Sequence, residues 1–544
     1  TYYHTMATSH YTTQCIGAFY SYIADKFAEF RAIVPTKPEE YPAGNDITNP
    51  VVYLTYVKYM LYAMLREKGI RRKVLTSELR TDENAPPIVL LYYRPPTTFQ
   101  DDPVVQICRH MVLDTANMSI LSLGLPKSNT FTTFNEHASS ADVYFEECAE
   151  RTMLIYNPAL SNIYKIVKTF YVNGAPNEST EDNGADNDED GDEPVKEGIV
   201  LNTSISTRAL IGGHSNFTSE VMSIDEMFAD NNTRASCNLD LIPPDIQKSM
   251  CLVFNINHPE NFIVKRNPEL YRNMLVAAYR FRTPEATAPI WANYLNALAG
   301  QLDCESFITS LAADAVTVIP LEDVASKFAT FGVNLTLPLR LEISAADILP
   351  LDPAKLITPE FWTNLVAKYA NLATKLENDS PVGIMARTRT GYRHTIMVPY
   401  YWHLFNLRGN IPVRSNVDTP KNTVNLFRLF WHLLKITHFT GGKHDFIRDY
   451  LEHFDNDDHF YSIIFEKFLS HFMTLVTRTQ SIYYRAFIGR QMMRSDIPYS
   501  LKPICGELHK IYQTNKQPTT NDTVKAYYMT LPASKIFWRL FSQM

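Results

Sequence analysis

The feature that most constrains the fold is a change of hydrophobic period partway along the chain. From about Pro87 the sequence runs in short β-branched and aromatic stretches, IVLLYYR, VVQICRHMVLD and RTMLIY, and later EGIVLNTSISTRALIG, SMCLVFNINHPENFIVKR and MLVAAYRF, each bounded by turn formers. Runs of this length and composition predict strands. Beyond Arg414 the texture changes, and VNLFRLFWHLLKI and YSIIFEKFLSHFMTLV predict helices up to the last residues. Strands grouped apart from helices predict an α+β architecture followed by a helical region.

Local punctuation sharpens this outline. In NPVVYLTYVKYMLYAMLREKG, Asn49 is placed to cap a helix, Pro50 suits its first turn, Leu54, Val57, Leu61 and Leu65 recur on one face, and Gly69 ends it. The basic run Arg71-Arg72-Lys73 is expected as a solvated exit from that helix. Thr358 and Pro359 open a second helix whose apolar face is Phe361, Leu365, Tyr369, Leu372 and Leu376. GIMARTRTGYRHTIMV predicts a hairpin turning at Thr390-Gly391. The expected organisation is a helical segment over 1–85, a core over 86–300, a mixed, helix-leaning insertion over 301–378, the last strands of the core over 379–413, and a helical domain over 414–544.

Composition limits function more than fold. The net charge of −7 includes nine acidic and no basic residues between Glu178 and Glu193, so the rest of the chain is near neutral. That body lacks the basic field of a dedicated nucleic-acid binder, and the tract 173–198 is expected as an acidic loop. The 12% aromatic content is expected in large cores. Seven scattered cysteines with no CxxC spacing point to neither a disulfide framework nor a zinc site, and no apolar run is long enough to span a bilayer. The histidines at 432, 438, 444, 453, 459 and 471 show no ligand spacing and are expected as satisfied or surface residues, so no metal is assigned.

Several segments, taken in order, carry a resemblance: ICRHMVLD, LPKSNTFTTF, FEECAERTML, STRALIGG, VFNINHPENFIV, VGIMARTRTGYRHTIMVPYY with HLFNLRGN, and PYSLKPICGELHKIY. Together they resemble the RNA ligases of the phage type, members of the covalent nucleotidyltransferase superfamily, and especially the ligase-like proteins of large nucleocytoplasmic DNA viruses. The resemblance covers most of residues 105–544. It implies a nucleotidyltransferase-like core of antiparallel sheets. In that chemistry a lysine in a K-x-D-G element attacks the α-phosphate of ATP, carboxylates hold ribose and a divalent metal, and distal lysines neutralise the phosphates.

Mapped residue by residue, the chemical groups are missing. The K-x-D-G element falls on Cys148-Ala149-Glu150-Arg151, so a thiol replaces the amine and only Glu150 keeps its character. Arg109 persists upstream; Asn255 replaces the third-motif acid; the fourth motif reads Val382-Gly383; the distal lysines correspond to Thr395 and Met397. Arg208 resembles a position near the nucleotide. A buried charge is tolerable only while its partners neutralise it, so concerted loss of amine and acids is the pattern of an abandoned site.

The resemblance therefore implies a catalytically inactive ligase-like protein without catalytic residues or cofactor, acting as a binding or structural component. Its expected partners are proteins, viral ones included, and RNA; its expected place is the virion or the cytoplasmic viral factory. Arg387, Arg389 and Arg393 on the hairpin are the candidates for contact with phosphate or an acidic partner. Two alternatives stay open. One is an active ATP- and magnesium-dependent RNA ligase using another lysine, such as Lys165 or Lys168; the other is a module that binds RNA ends without joining them.

Overall fold

The computed structural model describes residues 10–33, 50–75, 88–93, 101–109, 111–115, 118–148, 153–156, 201–203, 207–209, 222, 224–259, 271–281, 316–356, 358–369, 383–408, 420–442, 444–455 and 459–541. It is a mixture of helices and antiparallel sheets with a helical C-terminal region. Two compact units divide the chain, Thr1–Pro399 and Tyr400–Met544. The expected acidic loop 173–198, the segment 282–315 and the positions Glu150 and Val382 lie outside the described residues.

The first unit holds three sheets. One joins β1 (Ile70–Leu75), β2 (Ile88–Tyr93), β3 (Met111–Asp114) and β4 (Ser119–Leu123) in chain order. The second takes β6 (Met153–Tyr156), β7 (Leu201–Thr203), β8 (Thr207–Ala209), β9 (Met250–Asn257), β10 (Arg272–Phe281) and β11 (Val316–Val318) in the order β11-β10-β9-β6-β7-β8. The third, β12-β5-β13-β14, is built from β5 (Val143–Cys148), β12 (Arg340–Leu341), β13 (Gly383–Thr388) and β14 (Arg393–Met397). The paired strands run antiparallel.

Helices α1 (Tyr11–Ile33) and α2 (Pro50–Lys68) contribute Phe19, Ile23, Tyr56 and Met60 to a core shared with Val89, Met111 and Leu113. Gly69 ends α2 with φ 65, a left-handed conformation that glycine adopts without strain. The buried stripe of α2 is rotated from the expected one. Val57 and Leu61 are buried with Tyr53, Tyr56, Met60 and Met64, while Leu54 and Leu65 are only half-buried. The basic run is not a helix exit: Arg71, Arg72 and Lys73 lie on β1, paired with β2. The N-terminal segment thus supplies a strand as well as helices.

VVQICRHMVLD, expected as a strand throughout, opens with a helix, α3 (Pro103–Ile107). Asp102 explains it. Its Oδ1 accepts the N–H groups of Val104 and Val105 while Oδ2 pairs with Lys68, and capping with Pro103 in the first turn overrides the β-branched composition. The hairpin of β13 and β14 forms as predicted, with Gly391 at φ 93 in the turn. The second predicted helix, α4 (Pro359–Lys368), is capped by Thr358 and ends when Tyr369 leaves helical geometry, so its described apolar face is Phe361 and Leu365, with Trp362 buried. Within 301–378, β11 and β12 are threaded into the second and third sheets.

The second unit is helical: α5 (Pro399–Arg408), α6 (Pro420–Phe439), α7 (Phe446–Phe454), α8 (Phe460–Tyr483), α9 (Lys502–Asn515), α10 (Asn521–Met529) and α11 (Ala533–Phe541). Its centre is aromatic, with Phe427, Phe430 and Trp431 of α6 meeting Phe465, Phe468 and Phe472 of α8. The polar ends are satisfied, as Trp431 Nε1–H donates to the Leu531 carbonyl at 3.2 Å and Thr479 Oγ1 lies 2.7 Å from the Tyr528 hydroxyl. No helix among the described residues is long and apolar enough to cross a membrane.

Candidate functional site: an arginine-bearing sheet face

Alternation along β5 places Tyr144, Glu146 and Cys148 on one face. The ladders extend that face, because directly opposed residues in an antiparallel pair point the same way. Tyr144 opposes Arg387, Glu146 opposes Met385 and Cys148 opposes Gly383; across the next ladder Arg387 opposes Arg393, Met385 opposes Thr395 and Gly383 opposes Met397. Five positions picked from the sequence, Cys148, Arg387, Arg393, Thr395 and Met397, therefore share one face of one sheet.

Gly383 is required there. A Cβ at this position would stand 2.0 Å from the Ile396 carbonyl oxygen, so no other residue fits between the strands. Cys148, at the position matched to the lysine nucleophile, is 6% exposed and is not part of a disulfide. Thr395 Oγ1 lies 3.2 Å from Ser128 Oγ.

Electrostatics distinguish this face from ordinary core. Arg387 Nε is 2.8 Å from Glu146 Oε2, and its guanidinium also donates to the Val276 carbonyl on β10 at 3.5 Å. Burial pushes the Glu146 carboxyl above its ordinary value, and the charges of Arg387 and Arg340 pull it back. Arg393 is 6% exposed. Its guanidinium donates to the Pro126 carbonyl, its backbone N–H donates to Asn129 Oδ1 at 3.1 Å, and its Nε meets no protein acceptor. Burial first, then the neighbouring charges of Arg387 and Arg109, hold its pKa well below the ordinary arginine value. Glu146 is the one carboxylate that the described residues place on this face beside these guanidiniums.

The remaining sequence-derived positions fall elsewhere. Asn255 is half-buried on β9, opposite Met274 and Met153 in the six-stranded sheet. Arg208 lies on β8 opposite Asn202, and its side chain is outside the described residues. Arg389 does not share a strand face with Arg387, because β13 ends at Thr388 and Arg389 stands exposed in the turn with its N–H on the Asp142 carbonyl. Arg387 and Arg393 are not surface charges: both are drawn inside, one against Glu146 and one against the Pro126 carbonyl, with Arg393 Nε left without a protein acceptor.

Sequence reasoning missed Glu146 and Asn129. The only clue to Glu146 was its position two residues before Cys148, an even spacing that puts both on one strand face. No local feature marks Asn129. Of the C-terminal histidines, His432 Nε2 lies 3.2 Å from the Asn406 carbonyl and His453 Nδ1 lies 2.9 Å from the Asp449 carbonyl. His444 instead meets Asp449 together with His403, a histidine the sequence reading passed over.

The described residues of the arginine face offer a buried thiol, hydroxyls and guanidiniums, without a lysine or a pair of carboxylates to assemble a metal–nucleotide centre. Guanidiniums in this setting can hold an anion but cannot attack phosphorus. No protein-family model, no curated protein and no solved structure matches the chain.

Proposed function

We propose that this chain is a catalytically silent, RNA-ligase-like protein of a large DNA virus that works by binding, as a structural component of the particle or of its assembly. The nucleotidyltransferase-like fold and the viral setting rest on the sequence resemblance. The observation that carries the loss of activity is the convergence of Cys148, Thr395 and Met397, the positions matched to the nucleophile and the distal lysines, on one sheet face that holds a single described carboxylate. That these matched positions, about 250 residues apart in sequence, share one face and carry side chains unable to perform ligase chemistry supports this reading. Incubation of the full chain with α-labelled ATP and magnesium tests this. No protein–AMP adduct is expected; a stable adduct, wherever it maps, overturns the reading.

Arg393 favours a second reading, in which the face keeps affinity for phosphate and the protein binds RNA ends without joining them. Its Nε meets no protein acceptor, and a buried donor in that state is satisfied by an anion that reaches it. That reading expects 5′-phosphorylated RNA to bind more tightly than its 5′-hydroxyl counterpart, with a steep salt dependence. Equal affinity for the two ends excludes it.

A further inference from the structure

In the helical unit the chain reverses between α6 and α7 through Gly441 and Gly442, both in left-handed backbone conformations at φ 74 and 69. The exit from this turn is fixed. Asp445 caps α7 by accepting the N–H groups of Ile447 and Arg448, and Thr437 Oγ1 accepts the N–H of Phe446 at 3.2 Å. His444, one residue before the cap, is thereby held beside the first turn of α7, where Asp449 points back towards it. His403 reaches the same carboxylate from α5.

The geometry is convergent. His403 Nε2 is 2.6 Å and His444 Nε2 3.0 Å from the same Asp449 Oδ2, and all three ligand atoms lie within 4.8 Å of one another. The two imidazoles stand at 68° with their centroids 6.3 Å apart, so they approach the carboxylate from separate directions, as ligands around a common centre do. The Asp449 side chain is only 13% exposed, and its third close basic neighbour is again an imidazole, His453, at 3.9 Å from Oδ1.

We propose that His403, His444 and Asp449 bind a first-row divalent cation, with zinc the best fit. Two imidazole nitrogens and one carboxylate oxygen form the donor set of zinc sites that keep a fourth position for water. Tetrahedral coordination with bonds of about 2.0–2.1 Å separates ligand atoms by about 3.3 Å, so each of the two nitrogen–oxygen separations opens by less than an ångström to admit the ion. Both imidazoles then carry their proton on Nδ1 and offer Nε2 as lone-pair donors. The side chain of His444 is 48% exposed and that of His403 41%, which gives the ion an entry path and leaves the fourth position facing solvent. The bound ion ties α5 to the α6–α7 turn. Ligands 41 and 5 residues apart in sequence match no metal motif, so only the fold reveals them.

The test uses full-length protein stripped with chelator and titrated with zinc chloride, with bound metal measured by mass spectrometry and affinity by calorimetry. The expected result is one tightly held Zn2+ per chain, an affinity at least tenfold weaker in both His403→Ala and His444→Ala, and no change in His432→Ala. Zinc is also expected to raise the melting temperature of the wild type and of His432→Ala but not of the two ligand variants. Because both ligand side chains are well exposed, their variants should fold, which circular dichroism in chelator verifies. Co2+ substitution adds a spectroscopic readout: visible absorption of a four-coordinate ion, absent in His444→Ala. Failure to take up stoichiometric metal, or uptake unaltered by both ligand substitutions, overturns the proposal.

Discussion

Arg393 stands directly across the β13–β14 ladder from Arg387, two guanidiniums opposed on one sheet face with Glu146 paired to only one of them. Like charges opposite each other destabilise a sheet. The face therefore stores an electrostatic imbalance that substitutions can read out.

Arg387 and Glu146 form a buried pair, so removing one partner strands the other. Arg387→Met is expected to destabilise the first unit by about 3–5 kcal/mol, because Glu146 is left without its nearest countercharge. In a Glu146→Gln background the same substitution should do much less harm. Denaturant unfolding of the two single variants and the double variant measures the coupling; additive effects would show that the 2.8 Å contact contributes nothing.

Arg393 predicts the opposite sign. Its guanidinium is buried beside two like charges, so Arg393→Met is expected to leave stability unchanged or raise it by about 1–2 kcal/mol, even with the loss of its bond to the Pro126 carbonyl. A loss of more than about 2 kcal/mol in the same unfolding assay would mean that the charge is compensated within the protein.

Restoring the lysine should not restore chemistry. Cys148→Lys places an ammonium at a site 6% exposed, close to Arg387 and Arg393, without the acids that would position a metal. No AMP adduct is expected with ATP and magnesium, and stability should fall by several kcal/mol. Adduct formation by this variant would show that a working nucleotide pocket survives.

His10 sets a pH dependence. Its pKa is lowered to about 4, first by burial and then by the charge of Arg387, and its Nδ1 accepts the Thr12 N–H, a bond only the neutral ring can make there. With the folded value below the ordinary one near 6.5, the unfolded chain binds the proton more readily. The contribution is thus complete above about pH 6.5 and is lost as pH falls towards 4. Between pH 7 and 5 the loss is expected to be about 2 kcal/mol. Unfolding midpoints at the two pH values measure it, and His10→Gln should flatten the difference; an equal slope in that variant assigns the effect to other groups.

The sequence by itself determined the elements whose cause is local. Capping by Thr358, termination at Gly69 and the turn at Gly391 are set by neighbours a few positions away, as is the change from strands to helices, although it comes at Pro399, inside the span 379–413 expected to hold the last strands, and not at 414. It also supplied, through resemblance, the positions that β5, β13 and β14 bring onto one face. Where two local tendencies competed it misled: the β-branched Val104-Val105 pair yielded to the Asp102 cap. Only the tertiary structure decided which side chains meet. Registry between strands more than 200 residues apart drew Arg387 inward to Glu146 and placed Arg393 across from it, and helix packing gathered His403, His444 and Asp449 around one point. Side-chain direction within an element follows from its period, but the partner across a gap is chosen by burial of the whole core, and no window of sequence contains that information.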